Sequence, residues 1–142
     1  MTLTNEPAIE RLVHRLLDRS LPKAEWTHEA DFAAALWLLR HKRPHATPTG
    51  MRAVISAYNE ASGNPNLDSS GYHHTITVAS MRAAANALAG KDHLPVSLVL
   101  ASLMGSRFGK PGWLLEHWRR EVLFSVSARL GWVEPDIAPL PF

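Results

Sequence analysis

Two short stretches of this sequence hold side chains able to bind a metal ion or move a proton. The first contains His28 and Asp31. A spacing of three puts both on one face of a helix, with Cβ atoms about 5–6 Å apart, so the two can converge on one ion. Asp31 directly precedes an apolar run over residues 32–39. A carboxylate buried there needs a strong partner or a metal. The alternative is that Glu29 and Asp31 only complement the positive end of a helix dipole. The second stretch contains His73 and His74. Helical neighbours diverge by about 100°, so one of the two points toward any shared site. His74 shares a stripe with Val78, Met81, Ala85 and Leu88, and His73 with Ile76, Thr77, Ser80 and Ala84. The spacing does not choose between them, and both can also be surface imidazoles near a helix start. Taken together, His28, Asp31, His73 and His74 form a candidate set of imidazoles and one carboxylate for a single Zn²⁺ or non-haem Fe(II). With an open position, such an ion polarises a substrate oxygen or activates a water, so a small-molecule substrate is expected.

Other chemistry is excluded or weakly supported. There are no cysteines, which removes disulfides, thiolate metal sites and Cys nucleophiles. Only one Glu-x-x-His occurs, Glu25 to His28, where a di-iron bundle needs two, and no nucleophile elbow, Walker loop or dinucleotide fingerprint occurs. The remaining histidines, His14, His41, His45, His93 and His117, sit in polar or helix-end surroundings that suit solvation or local hydrogen bonds. The formal charge is +2, and the basic residues form only short groups at Arg40, His41, Lys42 and Arg43 and at Arg119 and Arg120. A nucleic-acid partner calls for a clustered basic face, so none is expected.

The elements that would position these side chains are punctuated by proline and glycine. Helices are expected over residues 6–19, capped by Asn5; 27–41, with Thr27 as cap; 48–62, after Thr47; 72–88, stopped by Gly90; and 95–104. Residues 32–39 leave almost no polar face, the pattern of a central buried helix. The segment 113–130 reads as one helix or two, with Ser125 as internal cap and Gly131 as a C-cap glycine. The proline-rich tail 132–142 is expected to be extended and to pack back through Trp132, Ile137 and Phe142. No period-two strand pattern appears. The expected fold is all-α, a single domain over residues 1–142, built as a bundle of five or six helices. With 142 residues and 46% hydrophobic content the chain can fill one core and not two. The polar residues 1–9 lack the pattern of a secretory leader, and no apolar run approaches the ~20 residues of a membrane span. A cytoplasmic protein without a membrane partner is expected.

The stretches Trp26-Thr27-His28-Glu29-Ala30-Asp31 and Ser70-Gly71-Tyr72-His73-His74-Thr75, with Tyr58-Asn59-Glu60-Ala61 and the ending from Leu123 to Asp136, resemble a family of small bacterial helical proteins without an assigned activity. The likeness spans most of the chain except residues 90–112. The family pattern reads Trp-Thr-His-x-Ala-His and Gly-Tyr-His-Glu-Thr, so Asp31 stands in place of a His and His74 in place of a Glu. The resemblance implies that the four positions keep three imidazoles and one carboxylate around one ion, with Asp68 as helix cap or partner of a ligating His and Tyr72 presenting its hydroxyl. The leading expectation is a mononuclear metal-binding protein, possible as a hydrolase, lyase or iron oxygenase. The alternative is a non-catalytic helical interaction module, with structural His and Asp hydrogen bonds and a Trp-rich C-terminal third that docks a partner or a second copy as a homodimer.

Overall fold

Asn5 and Thr47 each place a side-chain oxygen on a backbone N–H three residues on, at 2.9 Å in both cases, and proline follows in the first turn. These two caps open α1 (Glu6–Leu17) and α3 (Pro48–Ala61) where the sequence places them. The computed structural model describes residues 3–41 and 43–142, with the backbone alone for Arg43. Lys42, part of the first basic group, lies outside the described residues. The other helices are α2 (His28–His41), α4 (His74–Leu88), α5 (Val96–Met104), α6 (Arg120–Leu123) and α7 (Val126–Leu130). The described residues contain no strand, only an isolated bridge between Leu67 and Ser70. The protein is all-α.

Helix α2 is the axis of the fold. Ala30, Phe32, Ala33, Ala34, Leu36 and Leu38 are at most 1% exposed, so it is enclosed on nearly every side. It packs against α1, α4 and α5. One continuous core joins all of these elements, from Leu3 to Leu123. Each fully buried Leu or Phe side chain contributes about 1.5–3 kcal/mol. The alanines at positions 33–35 let neighbouring helices approach α2 closely. The fold therefore places Asp31, in the first turn of α2, at the edge of the most deeply buried helix.

The last third differs from a long helix. Residues Pro111–Glu116 form a 3-10 segment, followed by α6 and α7, four and five residues long. The helix count is thus higher than five or six, because proline and glycine at 111 and 112 favour turns and Ser125 starts a new helix. Its hydroxyl accepts from the Ala128 N–H at 3.1 Å. Gly131 is extended at φ −155°, so it is not a left-handed C-cap. The tail packs back through the half-buried Trp132 and Phe142, but Ile137 is 54% exposed. The anchor at that position is backbone: the Ile137 N–H donates to the His117 carbonyl at 2.9 Å.

One arginine of each basic group serves local structure. Arg40 donates to the carbonyls of Leu94 and Lys91, holding the α4–α5 connection. Arg119 pairs with Asp136 at 2.7 Å, holding the tail. Among the described residues no helix is long and apolar enough to cross a membrane.

Candidate functional site

Thr27 caps α2, with its hydroxyl accepting from the Ala30 N–H at 3.2 Å. His28 and Asp31 then lie one turn apart and border the same cavity. The imidazole Nε2 of His28 donates to the Phe108 carbonyl at 2.8 Å. A carbonyl can only accept, so Nε2 carries the proton and Nδ1 keeps its lone pair. The bond also ties the 105–112 loop to α2. The Asp31 carboxylate has no hydrogen-bond donor among the described residues. Burial raises its pKa from 3.8 to about 6, and the nearby His28 opposes that only in part. A carboxyl with a pKa in that range can take or give a proton near neutral pH.

Two cavities meet at this residue. One, of about 320 Å³, lies among α2, α4 and the 111–124 segment; its walls include Ile76, Trp113, Leu115 and Phe124, and its polar lining includes His28, Asp31 and Arg120. The other, of about 210 Å³, is more polar and is bordered by Asn59, Asn64, Tyr72 and Thr77. Asp31 and Ile76 line both. The indole N–H of Trp113, a residue that lines the first cavity, is buried and has no partner among the described residues. The indoles of Trp118 and Trp132 do have partners, the Val133 carbonyl at 2.9 Å and the Glu134 carboxylate at 2.8 Å.

The loop before α4 is built by Asn66. Its side-chain oxygen accepts from the Tyr72 N–H at 2.9 Å and from Asn59 at 3.2 Å, while its amide donates to the Ser56 carbonyl at 2.9 Å. Gly71 at φ +81° turns the chain beneath it, where a Cβ would come within 2.5 Å of the Pro65 carbonyl oxygen. The chain thus enters α4 at His73. This residue, not Asp68, caps the helix: its Nδ1 accepts from the Ile76 N–H at 3.2 Å. Its Nε2 donates to the Leu123 carbonyl at 2.7 Å. Both ring nitrogens are committed, and His73 has no lone pair left for an ion. Burial, chiefly, pushes its pKa down.

His74 faces another way. Its Nδ1 shares a 2.8 Å hydrogen bond with the Tyr72 hydroxyl. Burial and, after it, Arg52 lower its pKa. The Tyr72 hydroxyl is thus turned to His74, and its own pKa is raised by burial first, with Asp31 a smaller contributor. The structure therefore sets His28 and Asp31 along one cavity, pairs His74 with Tyr72, and commits both ring nitrogens of His73 to the backbone. Among the described residues no group of three His, Asp or Glu side chains is placed to hold a metal ion.

Asn66, Ile76, Trp113 and Arg120 were not singled out by the sequence. Arg120 stands out only as one of a basic pair and Trp113 only as one of five tryptophans. What distinguishes Ile76, Trp113 and Arg120 is the cavity they border, and Asn66 its hydrogen bonds across the loop, neither of which any spacing reveals. Comparison with protein-family models, with curated proteins and with solved structures finds no match for this chain.

Proposed function

We propose that this chain binds a small molecule in the cavity beside Trp113, with Asp31 and His28 as the polar groups that orient it. The observation that carries the reading is the Asp31 carboxylate, placed where two cavities meet and reached by no donor. Desolvation raises the pKa of this half-buried carboxylate, which has no donor among the described residues, and groups perturbed in this way are concentrated at functional sites. The mostly apolar wall with a few polar groups is the usual composition of a ligand site, and about 320 Å³ lies at the small end of the range. A small-molecule set screened by NMR against the full chain tests it. Binders are expected to shift the Trp113 indole N–H and to lose affinity in Asp31→Asn. If no compound shifts that resonance, or if binders are indifferent to Asp31, the proposal fails.

A divalent transition metal, zinc or iron, is the second reading. One observation favours it: His28 hands its Nε2 proton to a backbone carbonyl, the outer bond by which proteins orient a metal-ligating imidazole. Of the four expected ligands, His28 and Asp31 would hold the ion, His73 has no free nitrogen, and His74 is turned to Tyr72. Two protein donors fall short of the three or four of a resident zinc site. A bound ion would supply Lewis acidity at Asp31. Zinc titration of the untagged protein by calorimetry is expected to show binding lost in His28→Ala and kept in His73→Ala; no binding to the wild-type chain removes this reading.

A further inference from the structure

The same cavity is lined by two groups of opposite charge, and neither has an ion-pair partner among the described residues. Asp31 lines it without a donor among those residues. Arg120, exposed at the start of α6, borders it as well. The neighbouring Arg119 takes both nearby acids, Asp136 at 2.7 Å and Glu121 at 3.8 Å. No ion pair of Arg120 is found among the described residues; its guanidinium lies over the Phe124 ring, 5.7 Å from the centroid. No ion pair joins Asp31 to Arg120 among the described residues, and apolar side chains, Ile76, Leu115, Leu123 and Phe124, line the same cavity. A third group is also unsatisfied: the buried Trp113 N–H, a donor that needs an acceptor.

We infer that the ligand is a small zwitterion, an aminocarboxylic acid whose ammonium group meets Asp31 and whose carboxylate faces Arg120. This inference rests on the small-molecule reading of the cavity and names its substrate class. An ammonium gives Asp31 the charge-assisted donors that it lacks. A carboxylate matches the guanidinium, which recognises planar anions with paired N–H groups, and offers an acceptor to the donor-rich end. The apolar wall accommodates the methylene chain that separates the two charges. A ligand with one charge leaves one end uncompensated, and a diamine or a dicarboxylate places like charges together at one end.

Calorimetric titration of the full chain with glycine, β-alanine, γ-aminobutyrate and ε-aminocaproate, alongside butylamine, butyrate and butanol, tests this. One length of amino acid is expected to bind best, at least roughly tenfold tighter than the amine or acid of matching length. Asp31→Asn is expected to remove the advantage over butyrate, and Arg120→Gln the advantage over butylamine. Arg120 is exposed, so its variant is not expected to compromise folding. Equal binding of butylamine and γ-aminobutyrate overturns the zwitterion. Binding of butanol or butyrate that shifts the Trp113 indole resonance, with no amino acid preferred, overturns it while leaving the cavity as a small-molecule site. No shift from any of these or from a general compound set overturns both.

Discussion

Asp31 and His73 respond to pH in opposite directions. The Asp31 pKa is raised in the fold, from 3.8 to about 6, so folding binds a proton more tightly and stability falls as pH rises through that window. The His73 pKa is lowered from 6.5, so its contribution is complete above that value and is lost on acidification. The titratable groups that line the two cavities with Asp31 are His28 on α2, Tyr72 and His73 before α4, and Arg120 on α6. Asp31→Asn removes the falling limb. The variant is expected to gain about 1–3 kcal/mol at pH 8, a gain that shrinks toward zero by pH 4, and to lose stability more steeply in acid. Denaturant titrations of both proteins across pH 4–8 check this, and a gain independent of pH refutes it. His73→Ala removes a helix cap and leaves the buried Leu123 carbonyl unpaired, a loss of about 1–3 kcal/mol. The loss should be the same with and without chelator. At this scale the sequence gives residue types but not partners. His28 and Asp31 were legible as one face because a spacing of three fixes it. The choice between His73 and His74 was not, because it depends on Leu123, fifty residues away.

Elements were more legible than side-chain roles. Caps at Asn5, Thr47 and Ser125 act on N–H groups three residues away, so local sequence contains the whole interaction. The 15-residue α4 and the apolar α2 also follow from local pattern. In the 113–130 region the Ser125 cap and the split into short helices were legible, but the 3-10 winding of Pro111–Glu116 was not. The loop before α4 gives the test of an element. Gly71→Ala must strain a positive φ and push a methyl into the Pro65 carbonyl. A loss of about 2 kcal/mol or more is expected, with the Tyr72 and His73 amides losing hydrogen-exchange protection first. In α2, Leu36→Ala is expected to cost about 2–5 kcal/mol, because the site is fully buried and enclosed by neighbouring helices. A cost below about 1 kcal/mol would show that α2 is not the axis of the core.

Across the molecule, the C-terminal tail braces the wall of the candidate site. The Thr75 hydroxyl donates to the Gly131 carbonyl at 2.8 Å and accepts from the Val133 N–H at 3.1 Å, which ties the tail to α4. His117 donates to the Ala138 carbonyl at 3.0 Å. Deleting residues 133–142 is expected to loosen the 111–124 segment, lower the melting temperature and weaken any ligand bound beside Trp113. Unchanged binding in a folded truncation would show that the wall stands alone. The tryptophans expected to dock a second copy are mostly spent on this packing: Trp113 is 2% exposed and Trp118 not at all. The exposed apolar residues of that third are Phe124, Val126, Leu130 and Ile137. Composition announced a Trp-rich surface, and only long-range packing shows where each ring points.

Ile76 separates the two cavities, and an isoleucine within a helix holds nearly one side-chain rotamer. The partition is therefore a fixed wall and not a valve. Across it Asp31 still adds a small upward push to the Tyr72 phenol, so the Tyr72–His74 pair is tied electrically to a carboxylate to which it has no hydrogen bond.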